Sequence, residues 1–417
     1  MGRKKGLIPM TNINNTLARA ATTEYLAVIT MAICWVGLLA YITAPMPPMW
    51  DGTWYVNMAA SGVVDNEKLA APFAYRPGMP LIARWISNIF SLPIETGFKW
   101  TGYLSATTLL VSAFALSKCF VDDFKKAIIA PIVVAISAFH IKFPIFFFTL
   151  VDVAVYPLMI SFFWAFMNKR YLLSFAICLV GIFFKEFMAI PMFIQITMLA
   201  RQYQLQRNSR ALTYLLGTIV VCVAAILLPR VLITVYSSYQ EIDPLNKAES
   251  LARLWLNPLD AKRDFNIVYM MMSYWLPTLM ILTPSRIKSI WKNMGEMRLY
   301  LAIYLGLTLL LTLYGGKNIF IFVSYTVAAQ IIIIAMLTRE KLYTVEIIFM
   351  LIAVVLHNKI FLQIPFPTEN FAAYLDFYGG YDSRVNTHSY VRFLTILILI
   401  FASSSLRYLT KRFYYKE

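Results

Sequence analysis

Long apolar runs recur along the whole chain and restrict the folds available to it. A helix that crosses the hydrocarbon core of a bilayer needs about 20 mostly apolar residues, with a range of roughly 17–25. Runs near that length occur at 25–44, 98–116, 127–141, 150–167, 171–184, 187–200, 211–229, 267–283, 299–314, 319–337, 343–358 and 391–406. The sequence therefore predicts an all-α, polytopic transmembrane helical bundle of about twelve spans, with residues 1–417 forming one integral membrane domain.

The charge content favours a membrane class and argues against nucleic-acid binding. Only 14% of the 417 residues are charged and 60% are hydrophobic, whereas soluble domains carry about 25% charged residues. The net charge of +16 comes from basic residues spread over short loops, while a nucleic-acid site gathers them on one face. Four cysteines without a CxxC pair predict neither a disulfide framework nor a zinc site.

The distribution of Lys and Arg predicts the orientation. More than half of the 37 Lys and Arg residues fall in the short segments that are cytosolic if the N-terminus is inside, as the positive-inside rule requires. Both termini are then cytosolic. Three long loops face the other side, at 45–97, 230–266 and 359–390. The first run is too long for a signal-peptide core, so we expect an uncleaved span and a multi-pass protein of a bacterial inner membrane.

Two loop segments have an amphipathic pattern. In 78–91 the residues on one helical face are apolar, namely Ile82, Trp85, Ile86 and Ile89. The segment 245–256 shows the same pattern. Both segments are predicted to be helices that lie in the membrane interface or pack on the spans.

The first long loop carries the strongest candidate for chemistry. It opens with PMPPMWDGTWY, in which prolines end the preceding helix and the aromatic residues are typical of the membrane boundary. Asp51 is thus predicted to lie in partly desolvated surroundings, where the pKa of a carboxylate rises and the group can act as a general base. The alternative is that Asp51 is only a helix N-cap.

Three basic residues in the outer loops are candidates for binding phosphate. Arg76, between Tyr75 and Pro77, is placed to clamp a phosphate bidentately, and Arg84 follows it in the same loop. Lys317 comes after two glycines that allow a ligand to approach the backbone closely. The alternative for the arginines is contact with lipid headgroups.

Charged residues also occur within or beside apolar runs. Asp152 begins one such run, and Lys185 and Glu186 divide the apolar stretch 171–200. Such charges are costly in a membrane and are either functional or paired. Since adjacent residues on a helix do not face each other, Lys185 and Glu186 are expected to have different partners. The positive-inside rule favours two short helices here, with Lys185 and Glu186 at the outer turn.

The first loop resembles the GT-C superfamily of membrane glycosyltransferases, which use polyprenyl-phosphate sugars. The resemblance rests on WDGTWYVNMAASG followed by PFAYRPGMPLIARW, and on FKE at 184–186. It implies that Asp51 is the catalytic base and that Asp152 is the acidic residue of the second outer turn. Many members have a paired acidic motif where Asp51 stands alone, which leaves a divalent metal open.

The function expected from these features is sugar transfer on the non-cytosolic face. The partners would be a polyprenyl-phosphate-linked sugar, the bilayer, and a glycan, lipid or protein acceptor, with no nucleic acid. Neither a P-loop nor a dinucleotide fingerprint is present, so the donor must come from the membrane or from outside. The phosphate would be held by Arg76, Lys185 or Lys317. The alternatives are a transporter or lipid flippase, and a polymerase or ligase of the O-antigen type.

Overall fold

The structure is a computed structural model that describes residues 15–62, 73–236, 261–314, 319–340, 342–378 and 385–414. Within these ranges all regular structure is helical, which confirms the all-α prediction. The α-helices in chain order are α1 (Asn15–Ile42), α2 (Asp51–Ser61), α3 (Gly78–Phe90), α4 (Ile94–Lys118), α5 (Phe124–Ala127), α6 (Ile129–Ala135), α7 (Phe143–Phe146), α8 (Asp152–Met167), α9 (Tyr171–Gly181), α10 (Ala189–Gln206), α11 (Ser209–Tyr236), α12 (Ala261–Ile281), α13 (Pro284–Asn293), α14 (Met297–Tyr314), α15 (Ile319–Ser324), α16 (Val327–Arg339), α17 (Thr344–His357), α18 (Phe371–Tyr378) and α19 (Thr387–Tyr414).

Each predicted apolar run coincides with a helix or with a pair of helices. Helix α8 lies at the centre, because most of its side chains are buried and it packs between α4 and α9. Helices α1 and α3 pack on α4, and α12 packs on α19. Most buried apolar residues of these helices form one large core, and a smaller separate cluster contains Val28, Phe114, Val121, Ala127 and Ala335.

Only some of these helices are long enough, by themselves, to cross a bilayer. In the described ranges three pass on length and composition, at Thr22–Ile42, Ser209–Leu228 and Thr387–Arg412. The number rises to five if two bent pairs count as one span each, at Phe124–Ala135 with Ala138–Phe146 and at Lys262–Ile281 with Pro284–Asn293. This is compatible with an integral membrane protein. The number of twelve spans and their orientation stay predictions.

The span predicted at 127–141 is broken. Helix α6 ends at Ala135, and a π-helical turn over Ala138–Lys142 leads into α7 with a bend of 59°. The indole nitrogen of Trp35 donates a hydrogen bond of 2.8 Å to the Ala135 carbonyl, which provides a partner for a backbone group near the break. An insertion of this kind is a recognised cause of a helix kink.

The span predicted at 319–337 is also interrupted. Helix α15 ends at Ser324 and α16 begins at Val327. The hydroxyls of Ser324 and Thr326 donate to the carbonyls of Ile321 and Val323, at 2.6 and 2.7 Å. Such short-range hydrogen bonds compete with the helical pattern, which explains an interruption that no glycine or proline marks.

The stretch 171–200 forms two short helices, as predicted. Helix α9 ends at Gly181, a 3₁₀ turn covers Glu186–Met188, and α10 follows. A Cβ at Gly181 would lie 2.6 Å from Cγ of Met188, so the close return of the chain requires glycine there. Lys185 and Glu186 therefore lie in the turn between the two helices.

Helix α3 confirms the first amphipathic segment, and its apolar face points away from the bundle. Its buried side, which includes Met79 and Ala83, packs on α4. The exposed side carries Leu81, Ile82, Trp85, Ile89 and Phe90. Of the four residues predicted to share one helical face, Ile86 is buried, whereas Ile82, Trp85 and Ile89 are exposed. The second predicted segment, 245–256, lies outside the described residues.

Candidate functional site

Asp51 is the first residue of α2 and is held in place by its two neighbours. Trp50 has a φ of 52°, a left-handed value that costs conformational energy, and its ring lies 5.7 Å from that of Phe147. A Cβ at Gly52 would lie 2.1 Å from Oγ1 of Thr149, so this close approach requires glycine. The N-cap position is occupied by Trp50 and not by Asp51, but a short helix does begin at Asp51, as the structural alternative for this residue predicted.

Asp152 is the first residue of α8 and has two hydrogen-bond partners. Its Oδ1 accepts hydrogen bonds from the ammonium of Lys185 and from the hydroxyl of Tyr325. Asp152 is 4% exposed and Lys185 is 8% exposed. The Tyr325 ring stacks on Phe187 at 4.0 Å, and Lys185 Nζ lies within 6 Å of both ring centres, at 5.5 and 5.7 Å. The carboxylate at this helix N-terminus is thus neutralised by a cation and by the helix dipole.

Glu186 and Arg76 form a second pair. Arg76 NH2 lies 2.8 Å from Oε1 and Nε lies 3.0 Å from Oε2, a bidentate arrangement, while NH1 donates to the Tyr55 hydroxyl at 3.0 Å. The amide of Gly78 donates to the Phe183 carbonyl at 2.9 Å and ties the first loop to the turn after α9. Burial raises the pKa of Glu186, but the charge and hydrogen bonds of Arg76 outweigh it and lower that pKa.

Asp51 lies beside these two ion pairs and, unlike Asp152 and Glu186, is not itself ion-paired within the described residues. Burial raises its pKa above the usual value of 3.8, although the charges of Arg76 and Lys185 oppose the shift, and the negative charge of Asp152 adds to it. Among the described residues, no other side chain donates a hydrogen bond to the Asp51 carboxylate or forms an ion pair with it. A half-buried carboxylate with a raised pKa and no cationic partner can accept a proton.

We call Asp51, Arg76, Asp152, Lys185 and Glu186 the carboxylate cluster. All five were predicted as site residues, and the structure brings them together from the first loop, the start of α8 and the turn after α9. Their electrostatic interactions link both ion pairs to Asp51.

Two tyrosines in contact with the carboxylate cluster were not predicted from the sequence as site residues. Tyr325 lies in an apolar run, and Tyr55 is typical of the aromatic residues at a membrane boundary. The sequence pattern therefore does not indicate that either residue contacts a charged site. The fold brings Tyr325 to Asp152 across 173 residues. The hydroxyls of Ser324 and Thr326 beside Tyr325 are the one local sign that the helix is interrupted there.

A buried polar network continues from this interruption into the bundle. The hydroxyl of Tyr156 lies 2.6 Å from Oγ of Ser324, and His140 Nε2 lies 3.2 Å from the Ser324 carbonyl oxygen. The hydroxyl of Tyr274 lies 3.2 Å from the same imidazole nitrogen. The two broken helices are therefore joined at their breaks, which supports the position of Tyr325.

The remaining predicted binding residues lie elsewhere. Arg84 is beside the end of α2, where its NH1 would lie 3.5 Å from a Cβ at Gly62. None of the hydrogen bonds or ion pairs of the carboxylate cluster within the described ranges involves Arg84. Lys317 lies outside the described residues, and its role stays a prediction.

The carboxylate cluster does not match a metal site. In the part of the chain that the structure describes, no group of three or more His, Cys, Asp or Glu residues could hold a metal ion. Asp152 uses Oδ1 for Lys185 and Tyr325, and both oxygens of Glu186 accept from Arg76. A divalent ion bound by several carboxylates would have to displace these partners.

No model of a known protein family matches the chain, and neither a search of curated proteins nor one of solved structures finds a match. The function is therefore argued from the chemistry of the cluster and from the surrounding fold.

Proposed function

We propose that the protein is a membrane glycosyltransferase of the GT-C type, which moves a sugar from a polyprenyl-phosphate donor to an acceptor on the non-cytosolic face. The observation that carries the proposal is the contrast within the carboxylate cluster. Asp152 and Glu186 are paired with cations, whereas Asp51 is half-buried, has a raised pKa and forms no ion pair within the described residues. A general base needs these properties.

In the proposed reaction Asp51 takes the proton of an acceptor hydroxyl. The hydroxyl oxygen attacks the anomeric carbon of the sugar, the bond from that carbon to the phosphate oxygen breaks, and the polyprenyl phosphate leaves with the electron pair. The sugar is transferred with inversion. Arg76 and Lys185 form ion pairs with the neighbouring carboxylates, which fixes the arrangement of charges around the reacting atoms.

The apolar helices support a lipid-linked substrate. Five further apolar helices are shorter than a typical span, including α8 and α9, which flank the cluster. The twelve spans of the proposed topology are these five helices, α4 and α10, the three long helices, and the two bent pairs. The exposed apolar face of α3 suits contact with the membrane beside the site.

One observation favours the alternative of a transporter. Interrupted helices and buried polar groups are features of transporter cores, and the breaks near His140 and Tyr325 are joined by such a network. We favour the transferase because Tyr325, at one of these breaks, donates to Asp152 within the carboxylate cluster. A polymerase or ligase of the O-antigen type would use the same class of donor.

The direct test supplies the purified protein in proteoliposomes with labelled polyprenyl-phosphate hexoses and candidate acceptors. The expected result is label on an acceptor and release of polyprenyl phosphate. Uptake of a solute without transfer would contradict the proposal and favour the transporter. Transfer of a whole lipid-linked oligosaccharide, with no transfer of single sugars, would favour the ligase.

A further inference from the structure

The charges of the carboxylate cluster are unbalanced. Three carboxylates, Asp51, Asp152 and Glu186, face two cations, Arg76 and Lys185, so the fully ionised cluster carries one net negative charge. Both cations are engaged by carboxylates. A phosphate group placed here would be repelled by the excess negative charge. It would bind more favourably to a cation that lies near the cluster and outside these pairs.

Arg230 meets this description. Its guanidinium lies over the ring of Tyr75, 5.5 Å from the ring centre, and Tyr75 directly precedes Arg76. Its NH1 donates to the carbonyl of Ile226 in its own helix at 2.5 Å. In the described ranges no carboxylate pairs with Arg230, so most of its five N–H groups remain available to a ligand.

The position of Arg230 along α11 suits the headgroup of a lipid. The apolar run predicted on this helix is 211–229, so Arg230 directly follows that run, in the C-terminal part of α11. A lipid chain in the hydrocarbon core places its phosphate at the same boundary, near the end of the span. The 3₁₀ turn Phe73–Tyr75 packs against α11 and brings this boundary next to Arg76.

We propose that Arg230 binds the phosphate of a lipid-linked substrate, while Arg76 stays committed to Glu186. The guanidinium offers planar, bidentate hydrogen bonding to phosphate oxygens, and stacking on Tyr75 holds it in place. The identification of this lipid as a sugar donor rests on the proposed function. The binding of a lipid phosphate does not depend on it.

The test measures binding of farnesyl phosphate to the purified full-length protein in detergent by isothermal titration calorimetry. Arg230→Ala should weaken binding by about 10- to 100-fold, the range for losing a hydrogen bond to a charged group. Arg230→Lys keeps the charge without the planar fork and should lie in between. The matched control is Arg210→Ala, because Arg210 stacks on Tyr214 at 5.7 Å near the other end of the same helix.

Several outcomes would overturn the inference. Equal affinities for Arg230→Ala and Arg210→Ala would exclude Arg230 as the phosphate ligand. An equal loss of affinity for farnesol would show an effect on the apolar chain. Binding of inorganic phosphate as tight as that of farnesyl phosphate, and dependent on Arg230, would identify a site for free phosphate and not for a lipid. Thermal unfolding of each variant excludes loss of the fold as the cause, and Arg230→Lys retains a test if the alanine variant unfolds.

A transfer assay separates this inference from the proposed function. If transfer occurs, Arg230→Ala should raise KM for the donor by a similar factor, with a smaller effect on kcat. Transfer with an unchanged KM would overturn the role of Arg230 and leave the transferase intact. Binding that depends on Arg230, without transfer from any donor, would support the inference and contradict the proposed function.

Discussion

The carboxylate cluster and a second buried group of charges show how differently this fold can treat a carboxylate. In the second group, which we call the Glu346 cluster, Glu346 is fully buried between Arg286 and Arg407. The amide of Tyr343 also donates to its Oε2, at 3.1 Å. The two arginines outnumber the single carboxylate, whereas carboxylates outnumber cations in the carboxylate cluster.

The remaining N–H groups of Arg286 and Arg407 bind backbone carbonyls, which indicates a structural role for the Glu346 cluster. Arg286 donates to the carbonyl of Ile281 at 2.7 Å, and Arg407 donates to that of Met280 at 2.9 Å. Both carbonyls belong to the last turn of α12, where backbone acceptors lack helical partners. The Glu346 cluster therefore joins α12, α13, α17 and α19, and both oxygens of its carboxylate accept hydrogen bonds. The carboxylate cluster leaves Asp51 free, and this difference marks it as the candidate site.

The largest expected effect separates the two clusters by activity. Asp51→Asn should reduce transfer by about 10²- to 10⁴-fold, the usual contribution of a general base. Stability should be unchanged or higher at neutral pH, because the raised pKa of Asp51 means that folding disfavours its charged form. The measurements are transfer rate and thermal unfolding, with Glu95→Gln as a control carboxylate near the start of α4. Near-normal transfer by Asp51→Asn would exclude Asp51 as the base.

The Glu346 cluster should show the opposite response. Glu346→Gln leaves Arg286 and Arg407 without a counter-charge, and removing one partner of a buried pair costs about 3–5 kcal/mol. We expect a clear drop in the unfolding temperature in detergent. Any loss of transfer should match the loss of folded protein. A stable Glu346→Gln protein with impaired transfer would show that the comparison between the clusters is mistaken.

The close approach of Gly52 to Thr149, beside Asp51, can be tested by adding a side chain at position 52. Gly52→Ala places a Cβ within 2.1 Å of Thr149 Oγ1 and should displace Asp51. A displacement of about 1 Å can reduce a rate by about 10²-fold. Adding Thr149→Ala should restore part of the activity. Gly37→Ala is the control, since a Cβ there meets no atom within 4 Å; equal activity of both single variants would contradict this account.

The contact of Tyr325 with the cluster should have a smaller effect. Tyr325→Phe removes one donor from Asp152 but keeps the ring that stacks on Phe187. We expect transfer to fall by about tenfold, the lower end for a hydrogen bond to a charged group. Tyr103→Phe, which also removes only a hydroxyl, is the control. Identical transfer rates for Tyr325→Phe and Tyr103→Phe would show that Tyr325 contributes only to packing.

The smallest expected effect is on the pH dependence of kcat/KM for transfer. A general base must be deprotonated, so kcat/KM should fall as the pH drops through the pKa of Asp51, which burial raises above 3.8. The pKa of Glu186 lies below 4.5 because Arg76 outweighs burial, so its titration would give a limb at lower pH. A pH–rate profile of transfer, compared with the residual activity of Asp51→Asn, distinguishes the two. A limb that persists in that variant would belong to another group.

The residues of the cluster were predictable because charged side chains are conspicuous in apolar surroundings. Asp51, Asp152, Lys185 and Glu186 all stand within or beside apolar runs, where each charge must have a partner or a role. Their separate partners were also foreseen for Lys185 and Glu186. Tyr325 and the helix breaks were not predicted, since a tyrosine in an apolar run looks like any other core residue.

The sequence by itself determined the helical class and the approximate position of each long apolar helix, because the length of an apolar run is a local property of a chain. It also determined that a few charges would need partners. Only the tertiary structure decided which partners they have. Lys185 reaches Asp152 across 33 residues, and Arg76 reaches Glu186 across 110. The availability of Asp51 as a base depends on these distant pairings, since a carboxylate is free only when the neighbouring cations are engaged elsewhere.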